Sequence, residues 1–213
     1  MKTDDVIAML ASHVTPVPRQ AALRHVLAAL AVGLVLSVVW MLAEYGVRKD
    51  IVQAMSLPMF WVKLAFPVCV ALAGFVLVYR LSRPGVAVRK AWLGVVLPVA
   101  ALWVLALWVL VQAPAPERAS LVLGQTWATC ALSIVTMALP VFVATLVALK
   151  QLAPTRPALA GAAAGVLAAG TGAAVYALHC PELAAPFLAI WYVLGMAVLP
   201  LLGACLGPRL LRW

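Results

Sequence analysis

Long apolar runs broken by isolated charges dominate the chain. A spanning helix needs about 20 mostly apolar residues, and the stretches between charged positions supply that length six times. The first span is expected over 25–43, between Arg24 and Glu44. The second lies between Lys63 and Arg80 and is lengthened backward through the charge-free 51–62, which makes Lys63 snorkel to an interface. The third covers 91–116, and the remaining three fall within 119–149, 157–181 and 183–208. Five tight loops join them. This predicts an all-α membrane protein with a tail at 1–23 and a six-helix domain at 24–213.

The tail follows a different pattern. Thr3 can N-cap a helix whose first, positive-dipole turn holds Asp4 and Asp5. Ile7, Leu10, Ala11 and Val14 recur at helical spacing, flanked by Val6 and Met9, and Pro16 and Pro18 end the pattern. A helix of about a dozen residues is marginal alone in water. Its apolar stripe needs a protein groove or the membrane surface. The acidic tail helix has no basic face, which disfavours adsorption to anionic lipid.

Composition agrees with the pattern. Of 213 residues, 67% are hydrophobic and 10% charged, against roughly 45–50% and about 25% in soluble domains. Mean hydropathy is +1.12. A soluble sphere could not cover itself with so few charges, and a disordered chain would be far more polar. The net charge of +9 matters mainly through its placement. With the N-terminus inside, 11 of the 15 basic residues fall on the cytoplasmic side, leaving Arg48, Lys49, Lys63 and Arg118 outside. Lys and Arg accumulate in cytoplasmic loops, so both termini are expected inside. The first 23 residues lack the arrangement of a cleavable signal peptide.

No nucleotide loop, helix-borne metal motif or nucleophile elbow is present, so no catalytic residue and no cofactor are expected. No span carries a charge near its centre, which counts against an ion-coupled carrier and leaves a small neutral-solute permease as one alternative. Pro67, Pro98, Pro140 and Pro200 fall inside spans, where neighbouring helices can satisfy the freed carbonyls. Span five is rich in Ala and Gly, and its Gly161–Gly165 spacing allows close helix approach. It is expected to be the central helix.

Cys69 and Cys205 sit inside apolar runs, where a thiol behaves as a small hydrophobe. Cys180 ends span five in the run His179-Cys180-Pro181-Glu182, and Cys130 lies about a dozen residues after Arg118. At about 1.5 Å per helical residue, both fall in the half of the membrane nearer the outer, oxidising face. Either they are inert packing thiols or they form a redox or soft-metal pair, with His179 as a third candidate metal ligand. Trp191 and Tyr192 sit inside span six and are expected to pack against the outer loop, whereas Trp40, Trp61 and Trp213 suit an interfacial belt. A membrane thiol oxidoreductase is a further alternative, opposed by the lack of a CxxC pair.

The opening Lys2-Thr3-Asp4-Asp5-Val6-Ile7-Ala8-Met9-Leu10-Ala11, the six spans, and His179-Cys180-Pro181-Glu182 followed by Ala185-Pro186-Phe187 and Trp191-Tyr192-Val193-Leu194-Gly195 resemble the NrsF family. Its members are six-span bacterial inner-membrane anti-sigma factors that hold an extracytoplasmic-function sigma factor inactive. The resemblance covers the whole chain. It implies a cytoplasmic sigma factor as partner, bound through Asp4, Asp5, Ile7, Leu10 and Val14 with adjoining basic loops. It also implies two periplasm-facing sensor thiols that respond to heavy-metal or oxidative stress. These map onto Cys180 by its motif and onto Cys130 by depth and span number, with His179, Pro181, Glu182, Trp191 and Tyr192 as surroundings.

Overall fold

The computed structural model describes residues 3–12, 20–83 and 85–212. Val14, Pro16, Pro18 and Trp213 lie outside the described residues. Among those described, every regular element is helical, and six helices are long and apolar enough to cross a membrane.

Helix α1 (Thr3–Ser12) has Asp4 and Asp5 in its first turn and leaves Ile7 and Met9 exposed. The first spanning helix is α2 (Ala21–Glu44). It ends where Gly46 takes a left-handed φ of +68° and donates its N–H to the Met41 carbonyl, a Schellman-type closure that suits glycine. A five-residue helix, α3 (Ile51–Met55), and an extended Leu57 precede α4 (Pro58–Leu81). Proline fits the first helical position and forces the preceding residue out of the helical region. The second span is therefore lengthened backward from Lys63 only as far as Pro58; Leu57-Pro58 breaks it from the helix at 51–55.

A short 3₁₀ turn (Arg89–Trp92) leads into α5 (Leu93–Gln112). The next connection also departs from expectation, because α6 (Ala115–Leu123) is a separate helix. Pro114 and Pro116 bracket its start, Glu117 occupies its first turn, and Gly124 ends it at φ +55°, ψ −160°, a backbone region essentially reserved for glycine. The last three spans are α7 (Trp127–Gln151), α8 (Pro157–Ala177) and α9 (Ala185–Leu210). Between Leu188 and Tyr192, α9 makes a π-helical turn.

Helix α8 is the centre of the bundle: 78% of its apolar window is enclosed, against 11% for α5. It packs most extensively on α9, α4 and α7, while α2 lies against α7. Small side chains permit this. A Cβ on Gly161 would land on the Gly203 carbonyl, and one on Gly165 on the Leu199 carbonyl. Gly74 of α4 meets the backbone of Leu167 in the same way. Ser37 of α2 is buried with its hydroxyl 2.7 Å from the Met137 carbonyl of α7, an interhelical bond between polar groups that lipid could not satisfy. Pro67, Pro98, Pro140 and Pro200 all lie inside helices.

Candidate functional site

The segment 178–184, between α8 and α9, is the hub of one end of the bundle. Three other connections at that end are tied to it. From the α2–α3 link, Arg48 donates its backbone N–H to the Leu178 carbonyl, and its Nη1 lies 3.3 Å from the Cys180 carbonyl oxygen. His179 donates from Nδ1 to the Gly46 carbonyl, 3.0 Å away, and its ring sits between those of Tyr45 and Tyr176. From α4, Lys63 donates to the carbonyls of Cys180 at 2.5 Å and Glu182 at 2.8 Å. From the α6–α7 turn, the Gln125 N–H donates to the Glu182 carboxylate at 2.6 Å. Gly124 has to be glycine here for a second reason, since a Cβ would meet that carboxylate and the Phe187 ring.

Lys63 corrects the expectation that it snorkels. Its side chain is wholly buried, with Nζ 5.6 Å from the centre of the Tyr192 ring. A lysine at a span end reaches water when it faces lipid; this one faces the bundle interior, where carbonyls replace water. Spacing along the chain sets depth in the membrane but not direction around the helix axis.

Cys130 occupies the first turn of α7, and Cys180 follows α8; both are fully buried and share one apolar cluster with Phe187 and Tyr192. The sequence could match their depths only. In the structure both sit in that one cluster, close enough for each thiol to shift the other's ionisation. The Cys130 thiol is the main influence holding the Cys180 thiol down, to about 5; desolvation opposes it, while the Lys63 charge and the Glu182 N–H reinforce it. The Tyr192 hydroxyl is buried in the same cluster and has no hydrogen-bond partner among the described residues. Such surroundings favour a thiolate, the reactive form of cysteine.

Among the described residues, no three of His, Cys, Asp and Glu gather closely enough to hold a metal ion. The three-ligand set expected from Cys130, Cys180 and His179 is therefore not assembled. Cys69 and Cys205 are exposed on the outside of the bundle, away from this cluster.

Trp191 and Tyr192 lie in the π-helical turn. Trp191 donates to the Val122 carbonyl at 2.9 Å and stacks on Trp127 with ring centres 5.5 Å apart. It thus packs against the α6–α7 connection, whereas Tyr192 closes over the thiols from within. π-turns recur at functional positions in helices. Pro181 presents its carbonyl to Arg48. Arg48, Gln125 and Gly124 were not singled out from sequence, and their partners lie 57–133 positions away.

The opposite end holds a recess of about 460 Å³ lined by Arg83, Arg89, Trp92 and Arg156. Asp4 and Asp5 are exposed on α1. Leu10 falls within that helix, and Val14 beyond its described end.

Comparison with known proteins bears on the whole chain. It is 45% identical over 213 residues to a protein of Azospira oryzae named "Probable anti-sigma-F factor NrsF", with both chains fully covered. It is 38% identical over 214 residues to the "Anti-sigma-F factor NrsF" of Caulobacter vibrioides, again over the full length of both. No solved structure matches. The family model described as NrsF, negative regulator of sigma F, matches residues 10–213. Those two full-length relatives and the family match together place this chain in the NrsF family.

Proposed function

We propose that this protein is an inner-membrane anti-sigma factor that holds an extracytoplasmic-function sigma factor at the cytoplasmic face and releases it when Cys130 and Cys180 are oxidised at the periplasmic face. The observation that carries the sensing half is the burial of those two thiols together beneath a loop that ties the α2–α3 link, α4 and the α6–α7 turn to one another. The full-length relatives named as anti-sigma factors support the partner. The tail helix α1, with its exposed Ile7, supplies an apolar face for it, and the arginine-lined recess between the α4–α5 and α7–α8 connections a basic surface.

The chemistry is a dithiol oxidation. The Cys180 thiolate attacks an oxygen of a peroxide-class oxidant, releasing water or an alcohol and leaving a sulfenic acid. The Cys130 thiol then displaces hydroxide from that sulfur, forming the disulfide and a second molecule of water. Two electrons pass to the oxidant. Bridging draws the start of α7 towards the α8–α9 loop, and the stack of α7, α8 and α9 carries the shift to the other end. A coupling of about 1–3 kcal/mol changes sigma affinity 5–150-fold.

Two experiments test this. Leu10→Asp places a charge in the stripe shared with Ile7 and Val14; the sigma factor is expected to be freed and its target transcripts raised without stress. Normal co-purification of sigma factor with that variant would move the binding site elsewhere. For orientation, a reporter active only in the cytoplasm and fused after Trp213 should be active, and a periplasmic reporter there silent. The reverse pattern would place the thiols on the wrong side for an oxidising compartment.

A further inference from the structure

Lys63 is a wholly buried cation with no carboxylate partner. The ion pair recorded among the described residues is Arg48–Asp50, at 2.6 Å. Glu182, whose carbonyl Lys63 contacts, directs its carboxylate to Gln125 instead. Two carbonyl oxygens and the Tyr192 ring solvate the ammonium, but none of them carries a full negative charge. A buried charge left uncompensated is strongly destabilising. Arg48, the other cation on this loop, is already neutralised by Asp50.

An ionisable group of the right kind is the Cys180 thiol, buried in the residue whose carbonyl Lys63 holds at 2.5 Å. We infer that Lys63 is a positioning residue that serves as counter-ion to the Cys180 thiolate, making Cys180 the attacking and Cys130 the resolving thiol of the pair. This rests on the redox reading above and assigns its order of events. Lys63 comes from α4 and fixes the 180–182 backbone from below, so the charge and the sulfur are held by the same contacts. The Cys130 thiol and the Glu182 N–H then complete the donors around the sulfur. A thiolate so stabilised supplies the first nucleophile, and the thiol beside it, still carrying its proton, is the one that completes the bridge.

The test is competitive labelling of the purified full chain in lipid nanodiscs at neutral pH, with substoichiometric iodoacetamide and peptide mass spectrometry. In the wild type, Cys180 is expected to take label about tenfold faster than Cys130. Lys63→Met keeps the stem and removes the charge; it should slow Cys180 about tenfold while Cys69 and Cys205 label as before, and Lys63→Arg should restore most of the rate. Cys180 keeping its advantage in Lys63→Met would overturn the inference. Faster labelling of both Cys130 and Cys180 in that variant would also overturn it, because that is what mere loosening of the loop produces. If Lys63→Met does not fold, the wild-type order alone decides: Cys130 labelling first is incompatible with the assignment, and Cys180 first upholds it. Labelling needs no sigma factor and no stress response. Fast labelling of Cys180 together with unaltered induction in cysteine-to-serine strains would leave this assignment standing and sink the sensor reading instead.

Discussion

Serine at position 130 or 180 is expected to abolish induction of the sigma factor's targets by oxidant, whereas serine at position 69 or 205 changes little. The contrast is large because a disulfide needs both sulfurs and tolerates no substitute. Cys130 and Cys180 are buried together in one cluster, while Cys69 and Cys205 face outward from the bundle. Sigma binding should survive in all four variants, since serine is smaller than cysteine by only a fraction of a methylene and disturbs no helix contact. Transcript induction in the four single variants, measured side by side with sigma co-purification, checks this. Equal behaviour of the four would reduce the cysteines to packing. A mobility shift on non-reducing gels, present in the oxidised wild type and absent from both the 130 and 180 variants, identifies the bridge; induction without that shift would point to capture of a soft cation by two thiolates.

The second large effect concerns the bundle itself. Gly161→Val should destabilise the protein by about 3 kcal/mol or more, as overpacked cores do, because the added carbons collide with the Gly203 carbonyl of α9. Backbone cannot give way as a flexible side chain can. Gly85→Ala is the matched control. Gly85 has φ +79° with nothing within 4 Å, so its substitution brings only local backbone strain of about 1–2 kcal/mol. Thermal unfolding in detergent, followed by near-ultraviolet circular dichroism, should place the Gly161 variant well below the Gly85 variant. Similar melting of the two would mean that α8 and α9 can separate at no great cost.

The six spans were legible because a bilayer imposes a length of apolar chain that few other structures need. Depth was legible too, since rise along a helix is fixed, and it brought Cys130 and Cys180 to one level. Direction around the helix axis was not legible. Whether the two thiols face one another depends on how α7 and α8 rotate about their axes, and the apolar faces of these helices give little periodic signal when both lipid and protein partners are greasy. Lys63 shows the same gap: its depth near a span end was correct, but it points inward. Helix α6 was missed for another reason. Glu117 and Arg118 cut its nine residues in two when only charges are used as boundaries, giving one part to the third span and the rest to the fourth, although Pro114, Pro116 and Gly124 mark its ends. Arg48 gave no signal of its hold on the loop, because the Cys180 and Pro181 carbonyls lie more than 130 positions downstream.

The central position of α8 also sets an order of birth. Helices α2, α4 and α5 leave the ribosome first, yet α2 packs chiefly on α7 and α4 chiefly on α8. The early spans therefore enter the bilayer with their packing faces turned to lipid. The Lys63 ammonium has to wait for carbonyls made 117 and 119 residues later. A nascent chain interrupted before residue 180 lacks those carbonyls, so its Lys63 ammonium faces lipid near the span end and has to reach for interfacial water instead. The thiol site forms only when the loop after α8 emerges and captures that amine, so the helix at 3–12 is made well before the thiol pair at the other end of the chain's synthesis.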